Sequence, residues 1–229
     1  MPDWILPRQR PILSLHQMTH NQVVIRHFES VAASYQVSSQ AIPWRWIREM
    51  ELNAVRDTIS SRSVNSILEL GCGAGFYTAV LLSKLANEVV ATDPSQAMID
   101  SVPPCKNVET ICQSLETLSL NRSFDLIFGA GVLEFLEDPS ALFKTAARHA
   151  TRDSRLFILS PRDWPITRVY AYHHKRKGIE IRIMGKKEMF DLAKRQGWYL
   201  EETRIAGPIA IVALFSRIVR PSTRTGPRT

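Results

Sequence analysis

Short apolar runs alternate along this chain with stretches of helical periodicity. Runs of four to eight apolar residues between turn signals read as buried strands. Apolar residues at i, i+3 and i+4 read as amphipathic helices. The pattern predicts strands over 66–70, 88–92, 108–112, 124–129, 155–160, 198–206 and 208–216. It predicts helices over 75–86, 95–101, 138–150 and 186–196. Asp138 and Pro139 suit a helix start, and Gly197 suits a stop. Upstream, His27 to Tyr35 predicts a short helix with Phe28, Val31, Ala32 and Tyr35 on one face. A second helix begins at Pro43, with a stripe of Trp44, Ile47, Met50, Ala54 and Val55. Residues 1–22 are expected to be irregular, and Ser60 to Asn65 a polar connector. Regular β/α alternation predicts a doubly wound, mostly parallel α/β sheet.

Composition narrows the picture. An apolar fraction of 45% leaves a sizeable core. No run approaches the roughly 18 apolar residues of a membrane span. Cys72, Cys105 and Cys112 show neither metal-ligand spacing nor an even disulfide set, so no metal and a reducing, cytoplasmic compartment are expected. The net charge is +7, yet acidic residues outnumber basic ones between Val64 and Leu156. The positive charge therefore lies on the flanks. That distribution suits an acidic substrate, carrier or surface, and it equally suits simple solubility.

The candidate chemistry begins at Glu69-Leu70-Gly71-Cys72-Gly73-Ala74-Gly75, between a predicted strand and a predicted helix. Such a glycine-rich turn brings backbone N–H groups close to a ligand. Eighteen residues beyond Gly75, the next strand ends in Asp93, whose carboxylate can accept hydrogen bonds from two ribose hydroxyls. The dinucleotide pattern G-x-G-x-x-G fails at Phe76. Glu69 would repel a pyrophosphate and attract an ammonium or sulfonium.

These residues resemble the first motif of the class I S-adenosylmethionine-dependent methyltransferases, (E/D)-x-G-x-G-x-G. The resemblance implies a Rossmann-like sheet of seven strands, the last antiparallel, with an N-terminal helical extension. It implies an arm and helical cap over 1–60 and a methyltransferase domain over 61–216; the Arg-, Pro- and Thr-rich composition of 217–229 predicts a disordered basic tail. S-adenosyl-L-methionine is the implied cofactor. Glu69 would sit near its ammonium, Gly71, Gly73 and Gly75 near the amino acid and ribose, and Asp93 on the ribose. Cys72 reads as a packing residue within that cofactor turn, because no base is placed beside it. Asp93-Pro94-Ser95-Gln96-Ala97-Met98 is similar to the family's D-x-S-x-x-M stretch, with Met98 against adenine. Ser114 and Leu115 would meet the adenine, with Ser114 standing where relatives place Asp. Gly129 belongs to the segment Phe124 to Phe135, which resembles the strand and turn beside the transferable methyl. Phe135 replaces a His common in relatives.

Pro161 to Gly185 is the variable substrate side in that family. Trp164, Arg168, Tyr170, Tyr172, His173, His174 and Lys175-Arg176-Lys177 interleave aromatics with cations there. Trp164 to Lys187 is expected to form one wall of an acceptor pocket with the Tyr35 helix; for Pro161 to Gly185 a solvated surface helix and hairpin is the alternative. Candidate bases are Tyr35, His173 and His174, with His27 a candidate by type alone. The stretch from His27 to Tyr35 resembles the F-x-x-x-A-x-x-Y segment of quinone-biosynthesis and malonyl-carrier methyltransferases. Methyl transfer to a small or carrier-bound, acidic acceptor is the expected function. A nucleic-acid methyltransferase and a non-catalytic cofactor-binding scaffold are the alternatives.

Overall fold

The strand β1 (Ser66–Leu70) lies in the interior of a seven-stranded sheet, third from one edge, and is buried on both faces. The computed structural model describes residues 18–40, 44–59 and 63–217, without the side chains of 34–40 and 44. The remaining strands are β2 (Glu88–Asp93), β3 (Val108–Cys112), β4 (Phe124–Ala130), β5 (Ala150–Pro161), β6 (Trp198–Ala206) and β7 (Ala210–Arg217). Their order is β3-β2-β1-β4-β5-β7-β6. Strands β1 to β5 pair in parallel, and β7 runs antiparallel to both neighbours. This is the expected doubly wound sheet. The chain order reverses between β1 and β4, so a crevice opens beyond their carboxyl ends.

Side-chain alternation along β1 builds two cores. Leu68 and Leu70 join one cluster with Leu142, Phe143 and Met189 from α5 (Ser140–Arg148) and α7 (Lys186–Arg195). Ile67 faces the other way, into a cluster with Val55, Tyr77 and Leu82. Glu69 shares the parity of Ile67, so a carboxyl occupies a core-facing position. The chain is helical over 76–85, including a π-helical segment Thr78–Leu82 and α3 (Ser83–Leu85). Single π turns inside helices recur at functional sites. The next helix, α4 (Gln96–Ile99), is shorter than the expected 95–101.

Several boundaries differ from expectation. The first helix, α1, runs His20–Gln40 rather than 27–35. Thr19 and Gln22 explain its early start: the Thr19 N–H donates to Gln22 Oε1 at 3.0 Å, and the Gln22 N–H donates to Thr19 Oγ1 at 3.4 Å. This is a reciprocal capping box. The second, α2, covers Trp44–Ile59, and Pro43 lies outside the described residues. Helix α5 spans Ser140–Arg148 rather than 138–150, with Pro139 rather than Asp138 as its N-cap; Asp138, one residue ahead, accepts from the Ser140 N–H at 2.9 Å. Strand β5 begins five residues early, through a polar, exposed lead-in at Thr151 to Asp153. Pro165–Arg176 forms a helix, α6, and no hairpin follows it among the described residues. The expected irregular arm and basic tail fall outside the described residues, apart from 18–22 and Arg217.

Helix α1 crosses the carboxyl end of the sheet. Its Ala32 packs on Ala74 and Met98, and its Val24 packs on Phe135, Ile179 and Ile181. No described helix is long and apolar enough to cross a membrane.

Candidate active site

Beyond Leu70 the chain turns sharply, with Gly71, Gly73 and Gly75 at φ +71°, +53° and +77°. L-residues with a Cβ rarely adopt this region. The Gly71 and Cys72 N–H groups both donate to the Thr92 carbonyl, at 2.8 and 2.9 Å, which anchors the turn to β2. The glycines serve different ends. A Cβ on Gly71 would lie 2.7 Å from Val132 Cγ2, and one on Gly75 would lie 2.7 Å from Val102 Cγ1. A Cβ on Gly73 would meet nothing within 4 Å, and Gly73 lines a cavity of about 540 Å³. Its missing side chain leaves room for a ligand.

Asp93 closes the opposite side of the turn. Its Oδ2 accepts from the Gly73 N–H and its Oδ1 from the Ser95 N–H, both at 2.9 Å. Each carboxylate oxygen keeps a further lone pair. Burial raises the Asp93 pKa, and the two backbone donors oppose that rise. Ser95 in turn caps α4 by accepting from the Met98 N–H.

Glu69 is 2% exposed and makes no ion pair with a cation among the described residues. Thr78, within the π segment, donates its hydroxyl to Glu69 Oε2 at 2.5 Å. Burial pushes the Glu69 pKa to about 8, against the Thr78 hydrogen bond, with Asp93 adding to the rise. A neighbouring ligand cation would reverse this preference. The Cys72 thiol is buried with Ala91 and Ile99, and burial pushes its pKa far up, so it is no nucleophile at rest.

A second cavity of about 390 Å³ adjoins the first. Phe28, Arg48, Ala130, Gly131 and Phe135 line both. His27, His173 and His174 meet here with Tyr170, Lys177, Glu51 and Glu134. The His174 ring lies edge-on to Tyr170 and Phe135, at centroid distances of 4.6 and 5.7 Å. Burial lowers His174 to about 4, assisted by Lys177, His173 and His27. Burial likewise lowers His27.

Residues 68–158 match the family model of a methyltransferase domain. A tRNA U34 carboxymethyltransferase of Alteromonas mediterranea is 28% identical over 126 residues, covering 50% of this chain and 36% of the relative. A malonyl-[acyl-carrier protein] O-methyltransferase of Bacillus cereus is 26% identical over 146 residues, covering 62% of this chain and 53% of the relative. The chain thus spans about half, or less, of these relatives' own lengths. Among solved structures, the DhpI–SAH complex matches with a TM-score of 0.72 at 20% identity, covering 89% of this chain and 100% of that one. Magnesium protoporphyrin IX methyltransferase from Synechocystis, with bound SAH, matches with a TM-score of 0.69 at 14% identity, covering 87% and 100%. Residues 68–158 are a class I S-adenosylmethionine-dependent methyltransferase domain.

The methyltransferase domain brings most sequence-predicted positions to one cavity. Glu69, Gly71, Cys72, Gly73, Gly75, Asp93, Pro94, Met98, Ser114 and Leu115 all line the first cavity. Gly129 does not. A Cβ there would face Leu142 at 3.3 Å, on the α5 side of the sheet, and its successors Ala130 and Gly131 line the cavity instead. Adjacent strand residues point to opposite faces, so a one-residue offset changes the side. In the 161–185 segment, Pro161, Tyr170, His173, His174 and Lys177 line the second cavity, and Thr167, Ile179, Ile181 and Met184 are buried. Trp164 is half exposed beneath the Arg162 guanidinium, and Lys175 and Arg176 are exposed. The Tyr35 side chain lies outside the described residues. Sequence reasoning missed Arg48, Glu51 and Glu134, three charged groups inside apolar patterns.

The cavity residues fit S-adenosylmethionine. An open cradle stands over Gly73, a buried carboxyl awaits a cation at Glu69, and Asp93 keeps acceptor capacity beside both.

Proposed function

We propose that this chain transfers a methyl group from S-adenosylmethionine, held in the first cavity, to an acidic small or carrier-bound acceptor in the second. The observation that carries this reading is the wall both cavities share: Phe28, Arg48, Ala130, Gly131 and Phe135. Reacting atoms on either side would meet at that wall. S-adenosylmethionine supplies a methyl already activated on sulfur, so positioning and proton removal are what the protein must add.

Each residue's part follows from its chemistry. Glu69 would pair its carboxylate with the cofactor ammonium. Gly73 would let the backbone approach, and Asp93 would use its remaining lone pairs on the ribose hydroxyls. Met98 and Leu115 would pack on the adenine, with Gln113 and Ser114 at its polar edge. Ser114 already shares a hydrogen bond with Thr117 at 3.2 Å, so the adenine contact would be shared as well. Helix α1 would cover the cofactor through Phe28 and Ala32.

The acidic acceptor is supported by Arg48 and Lys177 in the second cavity, and by burial that keeps Glu51 toward its neutral form. The relative named for malonyl-[acyl-carrier protein] agrees with a carrier-bound acid. The relative named for tRNA, with exposed Lys175 and Arg176, favours nucleic acid as a second reading. The test is S-adenosylhomocysteine formation against panels of small carboxylic acids, acidic acyl-carrier thioesters and tRNA. Turnover with an acid or carrier is expected. Turnover with tRNA alone, lost at moderate salt, overturns the reading in favour of the second.

A further inference from the structure

Val132-Leu133-Glu134-Phe135-Leu136 places one carboxyl in an apolar run just beyond β4. Glu134 is 3% exposed and lines the second cavity. Its Oε2 is buried with no hydrogen-bond partner among the described residues. Its Oε1 lies 3.8 Å from where a Cβ on Gly131 would stand, and Gly131 belongs to the wall shared by both cavities. A buried, unsatisfied carboxyl oxygen is costly, and such groups call for a functional explanation.

Charged and titratable groups from several elements surround Glu134. From α2 come Arg48 and Glu51, and Glu51 already accepts from the Tyr77 hydroxyl at 3.3 Å and faces Arg48 at 3.7 Å. From α1 comes His27, from α6 come His173 and His174, and just past α6 comes Lys177. His174, with its pKa near 4, is too weak a base at neutral pH.

Building on the methyl-transfer reading above, we propose that Glu134 is the catalytic base, and that the acceptor atom is therefore a proton-bearing amine or hydroxyl. The nucleophile's lone pair forms the new bond to the methyl carbon. The electron pair of the broken carbon–sulfur bond stays with sulfur. The nucleophile's proton goes to Glu134, and later to solvent. The positive sulfonium and negative carboxylate thus end as a neutral sulfide and a neutral carboxyl. In a water-poor cavity, losing both charges together favours the forward step.

Burial pushes Glu134 to about 8, opposed chiefly by its own backbone N–H. Without a neighbouring cation it holds its proton at pH 7. A sulfonium across the shared wall favours the carboxylate. S-adenosylhomocysteine has the same ammonium and no sulfonium.

Calorimetric titration of S-adenosylmethionine and S-adenosylhomocysteine, at pH 7 in buffers of different ionisation enthalpy, separates the two carboxyls. The wild type should release up to roughly 0.9 of a proton more with S-adenosylmethionine, since a group of pKa 8 is almost fully protonated at pH 7. Glu134→Gln should abolish that difference and keep S-adenosylhomocysteine affinity within about twofold. Glu134→Asp should retain it, which guards against a merely structural effect. Glu69→Gln should alter both ligands alike. With an acceptor in hand, Glu134→Gln should lower kcat by about 10²–10⁴-fold and leave KM nearly unchanged. Equal proton release by both ligands in the wild type, or a difference that survives Glu134→Gln, overturns the proposal. Failure of both ligands to bind the wild type contradicts the cofactor reading itself, a distinct result.

Discussion

Asp93 Oδ2 accepts a hydrogen bond from the Gly73 N–H at 2.9 Å, joining the end of β2 to the middle of the glycine turn. The same carboxylate holds the Ser95 N–H at the start of α4. One side chain thus fixes both backbone segments that border the first cavity, before any ligand enters.

Asp93→Ala should therefore weaken S-adenosylmethionine binding by more than about tenfold, because charged hydrogen bonds are worth roughly 1.5–3 kcal/mol each. It should also lower the Tm, since two backbone donors lose their acceptor. Titration calorimetry and thermal melting read the two effects separately. Unchanged affinity would remove Asp93 from the cofactor site.

The three turn glycines should respond differently to Ala. Gly71→Ala and Gly75→Ala drive a Cβ against Val132 and Val102, both at 2.7 Å, and should destabilise the fold. Gly73→Ala meets no protein atom within 4 Å and carries only the strain of φ +53°, about 1–2 kcal/mol. It should remain folded, and Gly73→Val should remain folded while losing cofactor binding. Comparing circular dichroism melts with calorimetric titrations tests this. Normal binding by Gly73→Val would mean that the turn does not approach the ligand.

Glu69 and Glu134 predict the pH dependence of stability. Both rise from an ordinary value of 4.5 to about 8 on burial. Between those values the folded state binds more protons than the unfolded state, so stability falls as pH rises. Their contribution is complete below 4.5 and lost as pH rises through 8. The ligand-free protein should melt at a higher temperature at pH 6 than at pH 8.5. S-adenosylhomocysteine should reduce the difference by favouring ionised Glu69, as should Glu69→Gln by removing the group. A Tm independent of pH in this range would refute the burial argument.

Of Lys175, Arg176 and Lys177, at and just past the end of α6, Lys177 alone lines the second cavity. Lys177→Ala should raise the acceptor KM several-fold at low salt, whereas Lys175→Ala with Arg176→Ala should have little effect. Exposed charges act over about a Debye length, roughly 8 Å at physiological salt. Steady-state kinetics at two ionic strengths measure this. An equal effect from both variants would point to diffuse steering.

The sheet and the first cavity were largely legible in the sequence, because strands buried on both faces write continuous apolar runs. Glycines with positive φ, Glu69 one residue before the end of β1 and Asp93 at the end of β2 leave equally local marks. The start of α1 was legible in principle, since Thr19 and Gln22 spell a capping box. The second cavity was not. Arg48, Glu134 and His174 stand on separate elements, and only tertiary packing brings them together. Gly129 shows the remaining limit: strand parity decides which face a residue serves, and a glycine without a side chain carries no mark of it.

The most direct measurement is calorimetric titration of S-adenosylmethionine into the wild-type protein and into Asp93→Ala. We predict one-to-one binding at micromolar affinity for the wild type, weakened by more than about tenfold in Asp93→Ala. Absence of binding to a folded wild type, or equal affinity for both proteins, would contradict the assignment of the first cavity.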